Sequence, residues 1–112
     1  MGKRAVKTRN AGTMTESAFW SMIRSTLRRR SMFWKPIHAA KNAAKRDYHG
    51  PNTRQKFEYQ CNKCQEWFKG DEVEVDHIDD VGSLTCATDL SGFVERLFAE
   101  DGYELLCKPC HK

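Results

Sequence analysis

Four of the five cysteines fall into two Cys-x-x-Cys pairs, Cys61-Asn62-Lys63-Cys64 and Cys107-Lys108-Pro109-Cys110, with Asp76-His77 between them and His111 directly after. Two thiolates across a tight knuckle turn point the same way and can ligate one tetrahedral ion, so two such knuckles complete a four-cysteine zinc site. Between Cys64 and Cys107 lie 42 residues, against the roughly 15–20 of a compact two-knuckle finger. A metal there would close the base of an excursion that carries another function. A redox dithiol is the competing reading of either pair. Cys86, the fifth, sits in the small polar stretch Gly82-Ser83-Leu84-Thr85-Cys86 with no histidine near it, and reads as a plain thiol. His38 and His49 read as surface or structural residues.

Asp76 and His77 follow one another at the end of Glu72-Val73-Glu74-Val75-Asp76, which alternates as a strand does. Successive strand residues face opposite sides, so the pair can serve one site only across a bend, or act from different sides of a substrate. The rest of the second half is read as elements that carry these groups. Lys56–Gln60 alternates as a short strand ahead of the first knuckle. The stretch Asp79–Ser83 is loop, and Thr88 or Asp89 caps a helix running to about Phe98, with Leu90, Phe93, Val94, Leu97 and Phe98 as its apolar stripe. Tyr103–Leu106 is a strand delivering Cys107, and His111 opens a helix beyond it.

The first half has a different texture. Residues 1–56 hold 14 Lys and Arg against only Glu16 and Asp47, whereas residues 57–112 hold 5 against 13 Asp and Glu, within a net charge of +4. A basic half joined to an acidic half suggests that the first attracts a polyanion and the second holds cations. Residues 1–14 show no apolar period and are expected to be a disordered basic arm. Thr15 or Ser17 caps a helix whose stripe is Phe19, Trp20, Ile23 and Leu27. The residue before Pro36 leaves the α region, so Ser31–Pro36 breaks this helix and Pro36 starts a second. Ile37, Ala40 and Ala44 form its apolar side, and the turn signals of Tyr48–Asn52 end it. The expectation is a basic helical hairpin over residues 15–56, with Arg24, Arg28, Arg29, Arg30, Lys35, Lys41 and Lys45 available to phosphates. Trp20, Phe33 and Trp34 read as core rather than as base-stacking platforms.

The mean hydropathy of −0.74 and 30% charged residues describe a water-soluble chain, and no run approaches the roughly 20 apolar residues of a membrane helix. No apolar run follows the basic Met1–Arg4, so no secretory signal is expected. Paired cysteines in such a chain point to a reducing, cytoplasmic setting.

The order CxxC, Val75-Asp76-His77-Ile78, then Leu106-Cys107-x-x-Cys110-His111 resembles the HNH endonucleases of the zinc-stapled ββα-metal type over residues 57–112. With the arginine-rich first half and Ser31–Pro36, the whole chain is most similar to small HNH nucleases of tailed bacteriophages, described as homing endonucleases. The resemblance implies an α+β fold: a ββα-metal core stapled by zinc on Cys61, Cys64, Cys107 and Cys110, preceded by the basic hairpin. It implies Asp76 and His111 as ligands of a catalytic Mg²⁺ or Mn²⁺, and His77 as the general base. The activity implied is phosphodiester hydrolysis or nicking of DNA, in double-stranded form, leaving 5′-phosphate and 3′-hydroxyl ends in the cytoplasm of the phage host. The alternative is a zinc-dependent nucleic-acid-binding module without catalysis. Two positions depart from the family pattern. Its middle Asn falls five residues before the third cysteine, where Gly102 stands beside Asp101, so Asp101 or a backbone group has to brace His77 instead. The family often continues CHxxK with a threonine, whereas the sequence ends at Lys112, so a short last helix is expected.

Overall fold

A computed structural model describes residues 5–112, and its elements are mixed α and β. The described residues form seven short strands, β1 (Lys7–Arg9), β2 (Met14–Thr15), β3 (Lys45–Asp47), β4 (Phe57–Gln60), β5 (Trp67–Phe68), β6 (Val73–His77) and β7 (Tyr103–Cys107). Four helices accompany them, α1 (Glu16–Ser31), α2 (Lys35–Ala43), α3 (Leu90–Leu97) and α4 (Lys108–His111). Strands pair antiparallel in three small sheets, β1-β2, β3-β4-β5 and β6-β7. Among the described residues no helix is long and apolar enough to cross a membrane.

The chain packs as two compact units. One joins the described residues through Met32 to Val81–Phe98; the other joins Phe33–Asp80 to Ala99–Lys112. This division differs from the expected boundaries at 14/15 and 56/57. In the first unit the predicted stripe of α1 meets that of α3: Trp20, Val81, Leu84, Phe93 and Leu97 are buried, with Phe19, Ile23, Leu27, Leu90 and Phe98 packed against them. Two amphipathic helices of complementary stripe bury each other's apolar faces, so α1 packs with α3, while the expected helical region over residues 15–56 holds α1, α2 and then the strand β3. Thr15 is the N-cap, its Oγ1 accepting from Ala18 N–H at 3.1 Å. Asp89 precedes α3 without capping it; its carboxylate accepts from the Thr85 N–H and hydroxyl instead.

The expected disordered arm is also corrected beyond residues 1–4, which lie outside the described residues. Asn10, Ala11 and Gly12 take left-handed backbone conformations that fold Lys7–Arg9 back onto Met14–Thr15. Arg9 then ties the hairpin to α1: its guanidinium meets Glu16 at 2.8 Å and lies over the Phe19 ring at 4.1 Å. Hydrogen bonds from Arg9 and from the Trp20 indole hold the Glu16 carboxyl down at about 2, from an ordinary 4.5. A carboxyl depressed by folding stabilises fully above its ordinary value, and that contribution is lost as pH falls towards its folded value. An NMR titration of Glu16 is therefore expected to show a midpoint near pH 2, with hairpin amides losing protection between pH 4.5 and 2; a midpoint near 4.5 would contradict the contact.

In the second unit α2 ends at Ala43 with Ala44 as its C-cap, and the chain turns extended, so Lys45 lies in β3 opposite Tyr59 rather than on a helix face. The core here is small: Val73 and Leu105 are buried on β6 and β7, and Cys61, Leu106 and Cys107 form one buried cluster, with Phe68 and Cys110 packed against them. Two of the three buried side chains in that cluster are cysteines, so thiol chemistry sits where a larger domain would place leucines.

Candidate metal centre

The knuckle turns are built by local hydrogen bonding. Cys61 N–H donates to the Glu66 carbonyl and Gln65 N–H to that of Cys61, both at 2.9 Å, with Gln65 in a left-handed conformation (φ 65°). Asn62 N–H donates to Leu105 O at 2.8 Å, and its side-chain amide to Glu104 Oε2 at 3.0 Å. These bonds dock the first knuckle on β7, which delivers Cys107, while α4 delivers Cys110. The four sulfurs consequently lie within 4.8 Å of one another. A tetrahedral ion with Zn–S bonds of about 2.3 Å sets its sulfurs about 3.8 Å apart, and Cys64 and Cys107 Sγ stand at 3.9 Å. The quartet thus fits a metal ion. Among the described residues it is the only group of three or more metal-ligating side chains at such range.

Sulfurs at this range share their protons unequally. Burial opposes ionisation of Cys61, but the backbone N–H groups of Cys107, Cys64 and Lys63 outweigh it and pull the thiol down to about 6. Hydrogen bonding with Cys107, then burial, pushes Cys110 up to about 12. A cation that displaces these protons removes the conflict, which couples metal binding to folding.

On the neighbouring face, β6 and β7 pair with His77 opposite Tyr103, Asp76 opposite Glu104 and Glu74 opposite Leu106. The alternation of β6 puts Glu74 and Asp76 on one side and Val73, Val75 and His77 on the other. Helix α4 returns along the acidic side. His111 Nε2 lies 3.7 Å from Asp76 Oδ1, and its Nδ1 lies 3.1 Å from Glu74 Oε2. Two ligand bonds of about 2.1 Å could bridge a gap of that size through one hard divalent ion. All three side chains remain 39–46% exposed, so solvent reaches them. Asp76 and His111 are thus brought together. His77 is not brought to them: it is half-buried, with its ring 4.8 Å from that of Tyr103, and its N–H donates to Asp76 Oδ1 at 3.0 Å. Beyond it, Ile78 N–H donates to the Gly102 carbonyl at 2.8 Å. Gly102 is left-handed (φ 82°), and its backbone fixes the chain just past His77.

The basic residues divide between the two units. In the first, Arg24 lines a cleft of about 440 Å³ with Ser17, Ser21 and Ser83, Arg28 lies over Phe93, Arg29 reaches Thr26, and Arg30 is exposed at the end of α1. In the second, Lys41 lies over Tyr59 and donates to Gly70 O, Lys45 lies over Phe57, and Lys35 is exposed at the start of α2. Arg46, absent from the sequence reading, lies 3.6 Å over Trp67 and meets Glu58 at 2.6 Å. Sequence reasoning also missed Glu74. The signal was present in the strand alternation that pairs it with Asp76, but its partner His111 is 37 residues away. Comparison with models of known protein families, with curated proteins and with solved structures finds no match for this chain.

Proposed function

We propose that the chain is a metal-dependent DNA endonuclease of the HNH kind, with zinc on Cys61, Cys64, Cys107 and Cys110. The observation that carries the reading is the approach of His111 to Asp76 at 3.7 Å, on a strand pair and short helix rooted in the cysteine quartet. Four thiolates within 4.8 Å of one another favour zinc over harder ions. A carboxylate and an imidazole left open to solvent suit Mg²⁺ or Mn²⁺, which when bound would stabilise charge on a phosphodiester and its departing oxygen.

The protein's own groups have separate tasks. Asp76 and His111 hold the ligand face, and β6 and β7 keep them in register. His77, at the end of β6, accepts the proton of an attacking water through its imidazole. It works from the other side of the strand, and the Tyr103 ring together with the Ile78–Gly102 hydrogen bond restricts its movement. That backbone bond takes the part expected of a side-chain brace. Arg24, unpaired among the described residues and beside three serine hydroxyls, is suited to a backbone phosphate.

The test is relaxation of supercoiled plasmid by zinc-loaded protein. Nicking is expected with Mg²⁺ or Mn²⁺ and none with EDTA, and DNA affinity should fall steeply with salt. DNA binding without cleavage in any divalent metal would instead support a zinc-stabilised binding module.

A further inference from the structure

We propose that Glu74 is a positioning residue for His111, holding the Nδ1 side of its ring so that Nε2 is presented toward Asp76. The inference rests on the nuclease reading for its purpose and on geometry for its substance. The strand alternation of β6 gives Glu74 and Asp76 the same face two residues apart, and His111 stands against both. Its Nδ1 is 3.1 Å from Glu74 Oε2 and its Nε2 is 3.7 Å from Asp76 Oδ1. The shorter distance is an ion-pair contact that sets a carboxylate oxygen against Nδ1, and the longer leaves room for an ion between the two atoms.

A neutral imidazole carries its one proton on either nitrogen, and only the bare nitrogen can ligate a metal. A carboxylate at Nδ1 selects the tautomer with hydrogen there and leaves Nε2 bare, and partners of this type commonly orient histidine ligands. Without Glu74, the ring of His111 on a four-residue helix is free to turn, because its side chain is 39% exposed.

Two readouts test this, using zinc-loaded full-length protein. Long-range ¹H–¹⁵N spectra at a pH where the ring is neutral should show His111 as the Nδ1–H tautomer, shifting to a mixture in Glu74→Ala. Titration with Mn²⁺ followed by electron paramagnetic resonance should show about 10–100-fold weaker binding in Glu74→Ala, with partial recovery in Glu74→Gln, whose amide oxygen can still accept. Glu74 is exposed on its strand, so these variants should fold. An unchanged tautomer in Glu74→Ala overturns the proposal, including when Mn²⁺ binding weakens, since Glu74 would then be a direct ligand. Failure of the nuclease reading looks different: Asp76→Asn would leave Mn²⁺ binding unaltered, while the tautomer spectra would still decide what Glu74 does to the ring.

Discussion

Removing zinc from a loaded cysteine quartet is expected to unfold the unit made of Phe33–Asp80 and Ala99–Lys112. Its buried apolar side chains are Val73, Leu105, Leu106 and the two cysteines Cys61 and Cys107, too few to offset the chain entropy of the residues they order. Structural zinc contributes on the order of 10–16 kcal/mol to the folding of small zinc-binding peptides near neutral pH. That is comparable to the roughly 5–15 kcal/mol of net stability ordinary for a domain, so an ion bound this way would decide whether this unit folds. Cys61→Ser or Cys107→Ser should act as strongly as a chelator, because both side chains are essentially inaccessible, at 0% and 2% exposure. Hydrogen exchange should report loss of protection throughout the β6–β7 ladder. The amides of α1 and α3, whose core contains no cysteine, should lose far less. Unchanged protection of β6 and β7 after zinc removal would show that the quartet is not a metal staple.

On the proposed nuclease reading, replacing His77 should have the largest effect on activity. The loss of a general base costs about 10²–10⁴-fold in rate, which is about 3–5 kcal/mol on the barrier. The ring's structural contribution is smaller: its contact with Tyr103 at 4.8 Å is of a kind that contributes about 0.5–1.5 kcal/mol. His77→Ala should therefore retain its zinc and its β6–β7 protection while losing nicking. Thermal unfolding and zinc content measured beside the cleavage rate separate the two effects; a variant that loses zinc and activity together would make His77 structural.

The parts of the fold legible in the sequence are those written in short-range patterns. Spacing within each knuckle identified all four cysteines, and strand alternation placed Val73 and Val75 opposite Glu74 and Asp76. The stripe of Phe19, Trp20, Ile23 and Leu27 marked the buried side of α1, but not the helix it packs on. Its partner α3 lies some 60 residues later, and apolar periodicity names a face without naming its mate. The β1–β2 hairpin escaped because its turn depends on left-handed backbone at Asn10, Ala11 and Gly12, and because the basic Arg9 that looked solvent-directed is tied to Glu16 and Phe19. Lys41 and Lys45 were legible as basic but not as cations lying over Tyr59 and Phe57, since those contacts form only once β3 and β4 pair. No short-range pattern places His111 beside Asp76 or Glu74; both approaches require the path of α4.

The most direct measurement is the rate of supercoiled plasmid relaxation in Mn²⁺, with wild type, Asp76→Asn and His77→Ala adjusted to equal zinc content. The account predicts nicking by wild type and a loss of at least about 10²-fold in each variant. Equal rates in all three, or no metal-dependent nicking by folded, zinc-loaded wild type, would contradict it.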